Sequence, residues 1–92
     1  MKINDILSDE ELEECIEGSS NITMIRDIIE RTQKETLLDV ESFSEWFAYG
    51  VEGYIEAEEG TEEWEECNEN NREWGECIAE NINEMVVEKW TK

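Results

Sequence analysis

Residues 61–90 read TEEWEECNENNREWGECIAENINEMVVEKW, and this stretch decides the fold. Trp64, Cys67, Trp74, Ile78, Ile82, Met85 and Val86 recur at three- and four-residue steps, which places them on one side of an α-helix. Glu69, Glu73, Glu76, Glu80, Glu84 and Glu88 take the same steps on another side. They fall within an arc of about 120° at roughly 100° per residue. Thr61 is a fitting N-cap, and Glu62 and Glu63 in the first turn complement the helix dipole. Asn68, Asn70, Asn71 and Gly75 are poor helix formers, so a break near Asn70 is expected to compete with a continuous helix. Unbroken to Trp90, the helix would span about 45 Å.

Upstream, the segment from Ser42 predicts a third helix. Ser42-Phe43-Ser44-Glu45 fits a capping box, and Phe43, Trp46, Phe47, Val51, Tyr54 and Ile55 follow one face. Glu41, Glu45, Glu52, Glu56 and Glu59 fall on the other, in an arc of about 60° at roughly 100° per residue. Gly50 and Gly53 weaken it, and are read as a close helix approach or a bend. Residues 21–38 predict a second helix with the stripe Ile22, Ile25, Ile28 and Ile29. It is nearly neutral because Arg26, Arg31 and Lys34 stand against Asp27, Glu30 and Glu35. This helix is expected to pack centrally. Ser8-Asp9-Glu10-Glu11 predicts a capping box that starts the first helix. Leu7 and Leu12 form a hydrophobic staple, and Gly18 is the stop. Lys2 to Ile6 are left open to a strand. The sum is a mainly α, single-domain protein of about four helices over residues 1–92, with an acidic surface and an expected dimer.

Composition narrows the function. The chain has 27 acidic and 7 basic residues, no histidine, and a formal charge of −20. So few cations exclude a phosphate-binding stripe, and with it direct binding to nucleic acid or to an anionic membrane. No apolar run approaches the roughly 18 residues of a membrane span, and residues 1–4 predict no secretory leader. Cys15, Cys67 and Cys77 are read as reduced thiols filling the core. No histidine-based nucleophile, nucleophile elbow, phosphate loop, EF-hand loop or Glu-x-x-His di-iron pattern is present. The expectation is a non-enzyme with no cofactor and no metal.

The charge pattern itself carries the functional signal. From Glu35 to Glu88 the chain has 18 acidic residues and one basic residue, Arg72. Like charges at i, i+4 each cost a helix about 0.2–0.5 kcal/mol, so a ridge of them lowers stability. Solubility alone needs a net charge of only about 2–8 in a small domain. The excess points to electrostatic recognition of a basic partner, with carboxylates standing in for phosphates. The expected carriers are Glu45, Glu52, Glu56 and Glu59 on the third helix, and Glu62, Glu66, Glu69, Glu73, Glu76, Glu80 and Glu84 on the fourth. The dimer face is assigned to the second helix, which carries the least net charge.

The chain length, MKINDILSDEELEECIEG at residues 1–18 and WEECNENNREWGEC at residues 64–77 resemble the Arn family of small phage-encoded anti-restriction proteins. The resemblance implies a homodimeric DNA mimic in the cytoplasm of the infected bacterial host. It implies inhibition of the modification-dependent restriction endonuclease McrBC, and binding to other DNA-binding proteins such as the nucleoid protein H-NS. It carries over no catalytic residues. The competing expectation is an acidic adaptor that binds a basic host protein outside its DNA site.

Overall fold

The computed structural model describes residues 2–16 and 21–91. In chain order they form α1 (Ile3–Ile6), α2 (Asp9–Ile16), α3 (Ile22–Thr32), a two-stranded hairpin of β1 (Gln33–Lys34) and β2 (Leu37–Leu38), α4 (Val40–Val51), a 3-10 turn (Glu52–Tyr54) and α5 (Glu62–Trp90). The chain is thus mainly helical, in one small domain. At about 1.5 Å per residue the 29 residues of α5 extend about 44 Å, nearly the full 47 Å of a molecule measuring 47 × 22 × 17 Å. Helices α4 and α2 and strand β2 pack along this spine, and α3 packs against α4, α1 and α2.

The Asn-rich segment does not break α5. Gly75, the poorest helix former in it, is buried at the closest approach of α4. A Cβ there would lie 3.0 Å from the Ser44 Cα and 3.0 Å from the Phe47 Cβ. What the helix loses in propensity it recovers by letting two backbones meet. Beside the contact, Phe47 stacks edge-on against Trp74 with ring centroids 5.1 Å apart. The buried Ser44 donates its hydroxyl to the Arg72 carbonyl at 2.8 Å. The core continues down α5 through Ile78, Ala79, Ile82 and Val86. The same core includes Phe43, Leu12, Ile16, and the Ile25, Ile28 and Ile29 stripe of α3. As expected, the second helix packs centrally: its Ile25, Ile28 and Ile29 are buried where α3 meets α1, α2 and α4, while α5 runs the length of the molecule.

Several boundaries differ from the sequence expectations. The helix read over residues 21–38 ends at Thr32, whose hydroxyl donates back to the Ile28 carbonyl at 2.7 Å. Gln33 is extended and pairs with Leu38, and Lys34 pairs with Leu37. Asn83 of α5 fixes this turn. Its amide accepts from Leu38 N at 2.9 Å and donates to Leu38 O at 3.2 Å, as a neighbouring strand would. Helix α4 starts at Val40 because Asp39, not Ser42, is the N-cap, accepting from Ser42 N at 3.2 Å. It ends at Val51 and tightens into the 3-10 turn, so the bend reading of Gly53 holds. Lys2 to Ile6 include a single helical turn rather than a strand. The Ser8 capping box is present, with Ser8 N to Glu11 Oε1 at 2.9 Å and Glu11 N to Ser8 Oγ at 3.2 Å. Thr61 caps α5 by accepting from Trp64 N at 3.2 Å. The Gly18 stop lies outside the described residues.

Two substitutions test this architecture. Gly75→Ala should lower stability by about 1–3 kcal/mol through overpacking, while Gly53→Ala, where an added Cβ meets nothing within 4 Å, should be close to neutral. A thermal melt of both variants checks the contrast. Glu35 sits at φ +51°, a conformation costly for any residue with a Cβ. Glu35→Gly should therefore stabilise the fold by roughly 0.5–1 kcal/mol. Glu35→Gln, which removes the charge but keeps the strain, should recover little of that gain in the same melt.

Candidate functional site

The seven glutamates expected on the fourth helix occupy one exposed face of α5. Taking Gly75 as the origin and roughly 100° per residue, Glu62, Glu66, Glu69, Glu73, Glu76, Glu80 and Glu84 fall between about 100° and 180°. The buried Gly75, Ile78, Ala79, Ile82 and Val86 lie within about 60° of the origin. All seven glutamates are exposed. The same helix thus buries one side and presents carboxylates on the other, in steps of about 5–6 Å along the axis.

The remaining candidates do not share one helical face as expected. Glu45 is exposed on α4, Glu52 is half-buried in the 3-10 turn, and Glu56 and Glu59 lie in the irregular segment before α5. The end of α4 at Val51 is the cause. Helix α5 alone forms the ordered array.

Among the described residues the cations are engaged elsewhere or stand apart. The ion pairs among the described residues are Lys2 with Glu30, Arg26 with Asp9, Arg31 with Asp27, Lys34 with Asp39, and Lys89 with Glu11. None involves any of the eleven candidate glutamates. Lys89 lies about 140° or more around α5 from the seven ridge glutamates by the same count, and reaches Glu11 Oε2 at 2.7 Å and the Ile6 carbonyl at 3.0 Å. Arg26 bonds Asp9 Oδ1 at 2.6 Å and the carbonyls of Asn4 and Leu7. These two cations pin the N-terminal segment, α1 and α2, to the rest of the fold. Arg72 makes no ion pair among the described residues.

The structural pairs show up in the titration of their members. Lys89 and the Ser8 backbone N–H lower the Glu11 carboxyl below its ordinary value. Lys34 and the Ser42 N–H lower Asp39, and Asp39 in turn raises Lys34.

Averaged over the whole molecule, the charge is sparser than that of a duplex. Twenty net charges along 47 Å come to one per about 2.4 Å, against one per about 1.7 Å for DNA counting both strands. Spread over the 6188 Å² of surface they come to about 310 Å² each, so the average density is low and the concentration along α5 is what matters. Among the described residues no group of three or more Cys, Asp or Glu is placed to hold a metal ion. No helix among them is long and apolar enough to cross a membrane.

The thiols correct one expectation. Cys15 is buried, but Cys67 and Cys77 are exposed. Cys77 lies about 200° from Gly75, on the acidic side, a position that the helical period already contained. Cys67 shares the apolar side but lies in the N-terminal part of α5, ahead of the buried run that begins at Gly75. The apolar stripe of the third helix divides likewise: Phe43 and Phe47 are buried, while Trp46 is 42% and Tyr54 84% exposed. The Arg31 guanidinium stacks 4.9 Å over the Trp46 ring.

No protein-family model matches the chain, and neither a curated protein nor a solved structure matches it.

Two bulk responses follow from this charge layout. Salt should raise the melting temperature, because going from about 20 mM to about 500 mM NaCl shortens the Debye length from about 20 Å to about 4 Å and screens the unpaired ridge. A protein held mainly by its ion pairs would show the reverse. Glu11 and Asp39, with lowered folded values, contribute stability that is present above the ordinary carboxylate range and lost as pH falls through the lowered values. Lys89→Gln should therefore flatten the acid limb of the stability–pH curve measured by chemical denaturation.

Proposed function

We propose that this protein is a DNA mimic of the anti-restriction type, acting as a homodimer in the cytoplasm of an infected bacterial host. It occupies the DNA-binding surface of a restriction endonuclease, McrBC, and so protects phage DNA. The same charge complementarity extends to other basic DNA-binding proteins such as H-NS. The observation that carries the reading is the face of α5. Seven glutamates are exposed there on a rigid helix, and none is ion-paired among the described residues. The 47 × 22 Å outline supports it, since 47 Å matches the rise of about 14 base pairs. The likeness of residues 1–18 and 64–77 to the Arn family supplies the choice of target.

A fixed helix places its carboxylates before the partner arrives, so less ordering entropy opposes binding than for a flexible acidic tail. The basic groove releases its counterions to the carboxylates as it does to phosphates, which makes inhibition salt-dependent. The role is collective. Glu73→Gln, Glu76→Gln and Glu80→Gln combined should raise the inhibition constant against McrBC cleavage of methylated duplex by about tenfold or more at low salt, at roughly 0.5 kcal/mol or more per charge-assisted contact. The loss should shrink as salt rises. An unchanged constant at low salt, with the variant shown to be folded, would sink the assignment of this face.

A further inference from the structure

At the N-terminal end of α5 the molecule has an open groove of about 730 Å³, between α3, the end of α4 and the first turns of α5. Met24, Val51, Tyr54, Ile55, Cys67 and Trp74 give it an apolar lining. Tyr54 and Trp74 are large aromatics left 84% and 36% exposed. Gly50 forms part of the wall, and a Cβ there would lie 2.8 Å from the Met24 Sδ.

The charge around the groove has one sign. Glu56 lines it, Glu52 begins the turn that carries Tyr54, and Glu63 lies about 40° from Cys67 around α5. Arg72, one residue from the lining Asn71, points about 160° away from Trp74 by the same helical count. No cation among the lining residues neutralises this rim.

We infer that this groove seats an apolar side chain from a basic, amphipathic segment of the partner protein, one or two leucine-sized or aromatic anchors flanked by lysine or arginine. The inference rests on the mimic reading only in taking the partner to be a basic protein. Charge complementarity selects that occupant: an apolar anchor alone ignores the acidic rim, and a polycation alone leaves the apolar floor wet. The groove also answers a deficit in the ridge. With one net charge per about 2.4 Å against about 1.7 Å for duplex, charge alone leaves DNA the stronger ligand of a basic cleft. An apolar seat is something DNA does not offer in this form, and its contribution survives salt that weakens both electrostatic contacts.

Two synthetic peptides of equal length and charge test this, one of leucine–lysine and one of serine–lysine composition. Both are titrated calorimetrically into the full chain at about 0.1 M and about 0.5 M NaCl. At the higher salt the leucine peptide should bind at least about tenfold more tightly, the gain expected from seating one leucine. Plugging the groove should abolish the difference. In Cys77→Ser protein, N-ethylmaleimide modifies the exposed Cys67, while Cys15 is buried and its thiol is pushed up to about 11. The alkylated protein should bind both peptides alike. Tyr54→Ala, at a site too exposed to endanger folding, should weaken the leucine peptide and leave the serine peptide unchanged. Equal binding of the two peptides with a steep salt dependence would overturn the groove assignment alone. Absence of salt-dependent binding by either would overturn the acidic-surface reading with it. Undiminished leucine-peptide affinity after alkylation would place the apolar contact elsewhere.

Discussion

The contact of α4 with α5 at Gly75 is the constraint on which the rest depends. It brings Phe47 and Ser44 against the spine and joins α5 to a core shared with α2 and α3. That one-sided attachment is what allows the opposite side of α5 to remain a line of glutamates. A helix with like charges at i, i+4 is destabilised in isolation. Here the burial of Ile78, Ala79, Ile82 and Val86 supplies the compensating free energy, at about 25 cal/mol per Å² of apolar surface removed from water.

The few cations follow the same division. Arg26 and Lys89 tie α1 and α2 to α3 and α5, using backbone carbonyls as well as carboxylates. Asn81 and Trp74 donate to the Cys15 and Ile16 carbonyls at the C-terminal end of α2. Polar contacts thus hold the N-terminal half together and leave the acidic face free of intramolecular partners among the described residues. Segregation of this kind costs stability and yields a surface potential, and it is the physical content of the proposed function.

Much of this was legible in the sequence, and the exceptions have definite causes. The helical period of residues 61–90 separated core from ridge because apolar and acidic residues keep distinct angular sectors over many turns. The caps at Ser8 and Thr61 were readable because their bonding is local. Continuity through Asn70 and Gly75 was not, since it depends on a neighbouring helix that needs the missing Cβ. The end of α3 at Thr32 also escaped, because Asn83, 45 residues away from Leu38, fixes the hairpin that follows. The charged face of α4 was overextended for a related reason. Periodicity continued past Val51 while the backbone changed to a 3-10 turn, scattering Glu52, Glu56 and Glu59. The groove beside Trp74 had no sequence signature at all, as α3, α4, the 3-10 turn and α5 form it together.

The central claim is that the acidic surface and duplex DNA compete for one site on a basic partner. The direct measurement is a titration of the protein into McrBC already bound to a fluorescent methylated duplex, reading anisotropy and the mass of the complex together, at two salt concentrations. Mimicry predicts release of the duplex with no ternary species, and a midpoint that moves to higher protein concentration as salt increases. A stable complex containing enzyme, duplex and protein together would contradict it and make the protein an adaptor that binds away from the DNA groove.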